Sequence, residues 1–252
     1  MKDLTVLILN YNCNNILQYA VKSILMNTSD RLKKIIIADS GSTDGSLDAL
    51  PESDKIEIIR YKQKEPRGSR AKGEGLNILF PKCDTEFCAI IENDSFMPTK
   101  NWDLILHKYI KDKVVIIGAD YQTNDGQISE LFASFSYFRY DILKSLGINF
   151  MPQKSWFKKG FSRGTDCGYE LRDKLPRGGY SGKTLRCEPC RYGGKIFKNM
   201  VCAEHTVEDK VIWVHFSRGA NIKAKTNCDP AEELQKWHEK CSELLTLSHS
   251  TD

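Results

Sequence analysis

The 252-residue sequence contains no apolar run close to the roughly 18 residues that a membrane-spanning helix requires. The first residues form a short apolar run, but no small-residue cleavage site follows it, which argues against a signal peptide. The composition, 40% apolar and 28% charged, excludes a disordered tail protein, a collagen-like chain and a disulfide-dense miniprotein. We therefore expect a globular protein of the cytoplasm, with its nine cysteines reduced or bound to metal.

Two common phosphate-binding signatures are also missing. No Gly-x-Gly-x-x-Gly follows the first apolar run, which argues against a Rossmann dinucleotide site, and the sequence has no P-loop. A nucleotidyltransferase on a related sheet would need a glycine-rich loop after the first strand. The chain has Tyr-Asn-Cys-Asn there instead, at 11–14.

The first half of the chain alternates apolar runs with amphipathic stretches. The apolar runs predict strands covered on both faces, at Thr5–Leu9, Lys34–Ala38, Lys55–Tyr61, Glu86–Ile91 and Val114–Ala119. The amphipathic stretches predict helices, at Asn15–Met26, Ser46–Leu50, Leu76–Phe80 and Trp102–Ile110. This alternation predicts an α/β fold with a mostly parallel sheet flanked by helices.

The second half of the chain is richer in aromatic residues and glycine. It contains a predicted helix at Asp141–Leu146, a late strand at Val211–Phe216 and an amphipathic helix at Pro230–Leu245. Internal repeats and low-complexity linkers are absent from the sequence. The simplest interpretation is one domain that carries an inserted or appended basic subregion.

Polar residues follow the predicted strands where ligands bind in open parallel sheets, beyond the carboxyl ends. Tyr11 and Asn12 follow the first strand, and Asp39 follows the second. Glu92 and Asp94 follow the fourth and are two residues apart, so in an extended segment they point the same way. Such a pair suits Mg²⁺ or Mn²⁺ beside substrate phosphates. The alternative is a pair of acids that cap the next helix or are merely solvated.

Five segments in this order resemble the family-2 glycosyltransferases, which have the nucleotide-sugar-binding fold called GT-A. They are VLILNYN at the start, DSGSTDGS at 39–46, IIENDSFMP at 90–98, GTDCGYELR at 164–172 and VHFSRG at 214–219. The resemblance extends over most of residues 4–221. It implies an inverting transferase that uses a nucleotide-sugar, with UDP as the favoured nucleotide.

The resemblance also implies roles for individual residues. Donor-binding residues would be Tyr11, Asn12, Asp39 and Asn93. Ligands of Mn²⁺ or Mg²⁺ would be Glu92, Asp94 and His215. Asp166 stands at the catalytic-base position, followed six residues later by Arg172. The sequence departs from the family pattern at Glu92, where an Asp is usual, and at Thr165, where a Glu is usual.

Two arginines lie outside these motifs, in the glycine-rich segment after the third strand. Arg67 and Arg70 are positioned to contact the nucleotide base or its phosphates. A solvated loop explains them equally well.

A pair of CxxC and CxxH motifs predicts a structural zinc site. The predicted ligands are Cys187, Cys190, Cys202 and His205. Two close pairs of soft ligands joined by a loop are typical of tetrahedral zinc. Chance proximity and a redox pair at 187 and 190 are the alternatives. The motif is not expected from the family resemblance, so we interpret it as an insertion at about 183–208.

Positive charge is concentrated in residues 154–198, which hold twelve Lys and Arg against four Asp and Glu, a net of +8. The remainder of the chain has a net charge of −4. Basic residues interleaved with aromatics are typical of a nucleic-acid surface. The candidate acceptor-binding residues are Lys158, Lys159, Arg163 and Arg172. A solvated face, an anionic lipid or an acidic polysaccharide would suit the same charge.

Three functional hypotheses follow. The first is sugar transfer to a nucleic acid, such as a hydroxyl-bearing modified base in DNA that is flipped out to reach Asp166. The second is transfer to a glycan or lipid-linked glycan. The third is a zinc-containing nucleic-acid-binding module that has lost catalysis, which the departures at Glu92 and Thr165 motivate. We assign 1–221 to the GT-A domain and 222–252 to a C-terminal helical segment; the sequence does not give the oligomeric state.

Overall fold

The computed structural model describes residues 2–13, 15–65, 68–122, 128–152, 167–216 and 228–249. The strands of these segments form two sheets. They are β1 (Leu4–Asn10), β2 (Leu32–Asp39), β3 (Ile56–Arg60), β4 (Phe87–Ile91), β5 (Ser95–Phe96), β6 (Val114–Gln122), β7 (Ile128–Arg139), β8 (Ser181–Thr184), β9 (Arg186–Pro189), β10 (Ala203–Val207) and β11 (Lys210–His215).

Six α-helices and two short 3₁₀ turns connect these strands. The helices are α1 (Leu17–Asn27), α2 (Ser69–Leu79), α3 (Trp102–His107), α4 (Tyr140–Ser145), α5 (Tyr169–Arg177) and α6 (Pro230–His249), and the 3₁₀ turns are Phe80–Lys82 and Cys190–Tyr192. None of the described helices is long and apolar enough to cross a membrane.

The larger sheet has seven strands in the order β3-β2-β1-β4-β7-β6-β8. Strands β1 to β4 pair in parallel, and β7 pairs antiparallel with both of its neighbours, so it is the one reversed strand among the seven described. The prediction of a mostly parallel sheet is confirmed. The central parallel strands β1, β2 and β4 carry apolar residues on both faces because helices cover both.

Two apolar layers enclose this sheet. Alternate residues of β1 divide between them, since successive side chains of a strand face opposite sides. Val6 packs in the layer that contains α1 and α3, and Leu7 packs in the layer that contains α2, α4 and α5. Both side chains are fully buried. The sheet is therefore a fixed central layer whose carboxyl edge positions the loops after β1, β2 and β4.

The smaller sheet is antiparallel, in the order β5-β11-β10-β9. Its outer layer packs Phe96, Phe197 and Trp237 together, which attaches α6 to the sheet. Three residues, 92–94, separate β4 from β5, and β5 pairs with β11. The two sheets therefore meet directly at the carboxyl end of β4.

Two predicted helices differ from the structure. Residues 46–50 form turns rather than a helix, because the Asp44 carboxylate accepts the Ser46 N–H at 3.1 Å and the Ser46 hydroxyl accepts from Asn10 at 3.2 Å. The helix predicted at Leu76–Phe80 is longer, since α2 already begins at Ser69. Strands β5, β7, β8, β9 and β10 are additional to the predicted set.

Candidate functional site

Three potential metal ligands meet at the junction of the two sheets. Glu92 follows β4, Asp94 precedes β5, and His215 ends β11. The Nε2 atom of His215 lies 2.6 Å from a Glu92 carboxylate oxygen and 3.2 Å from an Asp94 carboxylate oxygen. One ligand atom of each residue lies within 4.8 Å of the other two. The pairing of Ser95 with His215 across β5 and β11 brings the three together.

The charge of Glu92 is stabilised by two cationic partners. The ammonium group of Lys72 donates to the Oε1 atom of Glu92 at 2.6 Å, and His215 contacts the other carboxylate oxygen, Oε2. Burial by itself would raise the pKa of Glu92, but Lys72 and His215 together lower that pKa well below its ordinary value. Glu92 is therefore ionised at neutral pH, with its charge shared between two side chains.

Lys72 reaches this position because α2 lies unusually close to the sheet. A Cβ at Gly75 would stand 2.6 Å from a Leu9 methyl group, and one at Gly73 would stand 2.7 Å from the Phe150 carbonyl oxygen. Only glycine allows such an approach at both positions. Lys72 also donates to the Ser134 hydroxyl at 2.9 Å. The glycines of α2 thus have a packing role that brings a cation to the metal-binding side chains.

Asp39 organises the loop after β2 from within the protein. Its carboxylate accepts hydrogen bonds from the Asn10 amide at 2.9 Å, the Ser42 hydroxyl at 2.5 Å and the Gly41 backbone at 3.1 Å. Burial tends to raise the pKa of Asp39, but these donors bring that pKa below its ordinary value. The side chain is only 1% exposed, so its described contacts are structural and it fixes the shape of the 39–46 loop.

A cleft of about 210 Å³ opens beside these residues. Tyr11, Ser40, Lys72, Glu92 and Asn93 contribute polar groups to its wall, and Leu9, Tyr61, Leu76 and Ile90 contribute apolar surface. A cavity with mainly apolar walls and a few convergent polar groups is typical of a small-molecule site. Through Glu92, the metal-binding cluster borders this cleft.

Asn93 and Asn12 connect the loops that surround the cleft. The Asn93 amide donates to Asn10 at 3.1 Å, and the Asn12 side-chain oxygen accepts the Thr43 N–H at 2.8 Å. Asn12 has a left-handed backbone with φ of 45°, a conformation that asparagine tolerates better than most residues. The predicted donor residues Tyr11, Asn12, Asp39 and Asn93 thus lie around one cleft edge.

The remaining predicted site residues are not part of this described cluster. Arg70 is partly exposed and forms a bidentate ion pair with Glu65, with N–O distances of 2.5 and 3.0 Å. It does not line the cleft. Arg172 lies exposed on α5. The residues that lie outside the described segments are Arg67, Lys158, Lys159, Arg163 and Asp166.

The four predicted zinc ligands are divided between two faces of the small sheet. Cys187 pairs with His205 across β9 and β10, whereas Cys190 lies beyond the end of β9, in the 3₁₀ turn Cys190–Tyr192. Cys190 and Cys202 pack in the layer that contains Trp237, whereas the His205 ring lies 4.4 Å from the Trp213 ring. Among the described residues, the one group of three or more metal-binding side chains is Glu92, Asp94 and His215. The described structure therefore does not bring the four predicted zinc ligands together in one group.

The cluster at Glu92, Asp94 and His215 suits a hard divalent cation. Two carboxylates supply oxygen ligands, which Mg²⁺ and Mn²⁺ prefer, and the imidazole supplies one nitrogen. His215 is 9% exposed and stacks on the Trp213 ring at 5.0 Å, so its orientation is fixed. These residues fit such an ion beside a cleft large enough for part of a nucleotide.

A sequence model of glycosyl transferase family 2 matches residues 5–172. The chain belongs to glycosyl transferase family 2. The matched segment contains β1 to β4, the Glu92 and Asp94 pair and the start of α5. The family resemblance seen in the sequence is thereby confirmed. A comparison with curated proteins gives no match.

Solved structures support the same fold for this family-2 member. A mannosyltransferase from Pyrobaculum calidifontis, in complex with GDP-Man and Mn²⁺, matches with a TM-score of 0.52 and 19% identity. That match covers 72% of this chain and 54% of the mannosyltransferase, so the chain spans about half of that protein's length. The glucosyl-3-phosphoglycerate synthase from Mycobacterium tuberculosis has a TM-score of 0.49 and 12% identity, over 73% of this chain and 70% of the synthase. The match to the mannosyltransferase supports the GT-A-type architecture.

The main residue that the sequence analysis missed in this family-2 site is Lys72. Residues 65–75 are predicted to form a loop, in which Arg67 and Arg70 are the cations expected to contact the nucleotide. The available signal was the spacing of Ala71, Gly75 and Leu76, which continues the helix toward its amino end and puts Lys72 beside the sheet.

Proposed function

We propose that this protein is an inverting, metal-dependent glycosyltransferase that transfers a sugar from a nucleotide-sugar, with UDP as the favoured nucleotide, to an acceptor hydroxyl. The observation that supports the proposal most strongly is the convergence of Glu92, Asp94 and His215 beside a cleft that Glu92 lines and that is large enough for part of a nucleotide. A divalent ion bound there would neutralise the donor diphosphate and stabilise it as a leaving group.

The chain's own residues have separate tasks in this reaction. Tyr11 and Asn93 border the donor cleft, and Lys72 supplies a positive charge next to the diphosphate position. Asp166 accepts the proton of the acceptor hydroxyl as that oxygen attacks the anomeric carbon. The new carbon–oxygen bond forms while the bond to the diphosphate breaks, and the nucleoside diphosphate leaves with the electron pair. One such displacement inverts the anomeric centre.

For the acceptor we favour a nucleic acid that carries a hydroxyl-bearing base, because residues 154–198 have a net charge of +8. A base within a duplex would have to be flipped out before its hydroxyl reached Asp166. A glycan or lipid-linked glycan is the alternative acceptor, and it requires no such affinity for phosphate.

The decisive experiment incubates the purified protein with Mn²⁺ and a panel of nucleotide-sugars, with and without hydroxymethylated DNA, and measures release of free nucleotide. We expect release that depends on one donor, on Mn²⁺ and on the DNA. Asp166→Asn should keep Mn²⁺-dependent donor binding and lose transfer, whereas Asp54→Asn, in an exposed turn, should behave as wild type. Absence of release with every donor would contradict the transferase proposal.

A further inference from the structure

A second exposed surface surrounds the turn that follows β9. We call it the basic platform, and it consists of Arg186, Arg191, Tyr192, Lys195 and Lys198. The Tyr192 side chain is 87% exposed, and the Arg191 guanidinium lies 5.6 Å from the centre of its ring. Residues 181–199 contain five Lys or Arg and one acid, Glu188. Arg186 pairs with Glu188 at 3.0 Å and Lys195 pairs with Asp209 at 3.3 Å, so part of this charge is balanced within the protein. The platform thus combines positive charge with an open aromatic face.

The platform is held in shape by a buried carboxylate. Glu204 of β10 is fully buried and accepts the backbone N–H groups of Lys195, Ile196 and Phe197 at 2.6 to 2.7 Å. Gly194 allows the chain to turn around that carboxylate with φ of 84°. A Cβ at Gly194 would approach the Cys190 sulfur to 3.2 Å and Glu204 to 3.3 Å. The exposed residues therefore project from a turn of fixed geometry.

The strand register places this turn at the same end of the small sheet as the metal-binding cluster. Ser95 pairs with His215, His215 with Ala203, and Ala203 with Pro189, which forms one row across the four strands. Pro189 is two strands from His215, a separation of about 10 Å. The Phe197 ring also lies 5.9 Å from Phe96, so the turn is packed onto the strand that follows Asp94.

We propose that the basic platform is an acceptor-binding surface that holds a nucleic-acid strand on the flank of the candidate active site. This inference rests on the proposed transferase function and adds residues separate from Lys158, Lys159, Arg163 and Arg172. Arg191 and Lys198 contact phosphates, and the Tyr192 ring stacks against a base. A strand bound beside Pro189, two strands from His215 in the small sheet, can present a neighbouring nucleotide to the cleft.

A nucleic acid suits this surface better than an acidic polysaccharide for one reason. Both polymers would satisfy the positive charge, but the flat, exposed Tyr192 ring with a guanidinium beside it matches the planar face of a base. The proposal therefore predicts binding that depends on both the charge and the aromatic ring.

The test is fluorescence anisotropy with a fluorescein-labelled 20-nucleotide single-stranded DNA and the matching duplex, at several salt concentrations. Tyr192→Ala should weaken single-strand binding about tenfold or more, and Tyr192→Phe should restore it. Arg191→Ala combined with Lys198→Ala should reduce the slope of log affinity against log salt by about 1.5. The matched control is Lys111→Ala with Lys113→Ala. Both residues are exposed and lie just before β6 of the large sheet, at the edge opposite the carboxyl end of β4.

The other outcomes overturn the proposal. If wild-type protein binds DNA and the platform variants bind equally well, the surface is wrong. If it binds heparin but not DNA, or binds neither, the partner is wrong. Binding of UDP and Mn²⁺ by wild-type protein is measured in parallel by calorimetry. Failure of that binding contradicts the proposed function, whereas failure of DNA binding alone contradicts only the platform.

Discussion

Two carboxylates, the partly buried Glu92 and the fully buried Glu204, are stabilised in different ways. Glu92, after β4 of the large sheet, has its charge balanced by the side chains of Lys72 and His215. Glu204, on β10 of the small sheet, has its charge balanced by three backbone N–H groups of one turn. A side chain that contacts a carboxylate can leave it and contact a bound ligand instead. Backbone N–H groups cannot do so unless the turn unfolds. The first arrangement suits binding, and the second suits architecture.

The largest expected effect concerns Asp94, the neighbour of Glu92. Asp94→Asn removes an anionic ligand from the cluster, so we expect sugar transfer to fall by about 1,000-fold. Electron paramagnetic resonance of Mn²⁺ should show the loss of binding with no change in the unfolding curve. If Mn²⁺ binds Asp94→Asn as tightly as wild type, the cluster is not the metal site.

The next effect tests the architectural carboxylate. Glu204→Gln replaces a charged acceptor of three N–H groups by a neutral one, and we expect the free energy of unfolding to fall by about 2 to 3 kcal/mol. Urea unfolding measures this loss, with the exposed Glu239→Gln as the matched control. The Mn²⁺ affinity of the folded fraction should remain that of wild type. A stability equal to that of the control would show that the buried charge does not hold the turn.

A smaller effect is expected for Lys72, the side-chain partner of Glu92. Lys72→Met removes the positive charge beside the cleft, so KM for the nucleotide-sugar should rise by about 10- to 100-fold while stability changes little. Lys72→Arg should recover most of the affinity, because a cation remains. An unchanged KM in Lys72→Met would mean that Lys72 only neutralises Glu92 and does not meet the donor.

The effect that is smallest at neutral pH is a pH dependence from His205, the buried residue next to Glu204. Burial, assisted by the nearby His215, lowers the pKa of His205 to about 3. The folded protein keeps this ring neutral, while the unfolded chain takes up a proton below its ordinary pKa of about 6.5. Stability should therefore fall by about 1.4 kcal/mol for each pH unit from about pH 6 toward pH 4.

His205→Phe should remove that contribution and leave stability above pH 7 nearly unchanged. The measurement is urea unfolding of both proteins from pH 4 to pH 8, with the difference plotted against pH. Identical slopes for the two proteins between pH 4 and pH 6 would contradict the prediction.

The same comparison explains what could be predicted from sequence. Strands β1, β2 and β4 are continuous apolar runs, because helices cover both of their faces, and a polar residue marks the end of each run. This pattern alone located Asp39, Glu92 and the adjacent residues. His215 came from family resemblance, since its position depends on a strand pairing that no local pattern encodes.

The short later strands, β8 of the large sheet and β9 of the small sheet, were harder to predict for physical reasons. Strands β8 and β9 have four residues each and mostly exposed side chains, so they have no apolar periodicity to detect. The CxxC spacing predicted zinc because it assumed that both cysteines face one ligand. Cys190 instead lies in the 3₁₀ turn after β9 and packs with Cys202, while Cys187 is exposed. The buried Glu204 fixes the adjoining 195–197 segment through three backbone N–H groups.

The hydrogen bonds around Asp39 have a kinetic consequence. Because Asn10, Gly41 and Ser42 already fix the loop after β2, this part of the cleft need not be ordered when a ligand arrives. Ordering a flexible loop would subtract about 1 kcal/mol or more per residue from the affinity. The association rate at this edge is then set by diffusion and electrostatic attraction rather than by a slow rearrangement of the 39–46 segment.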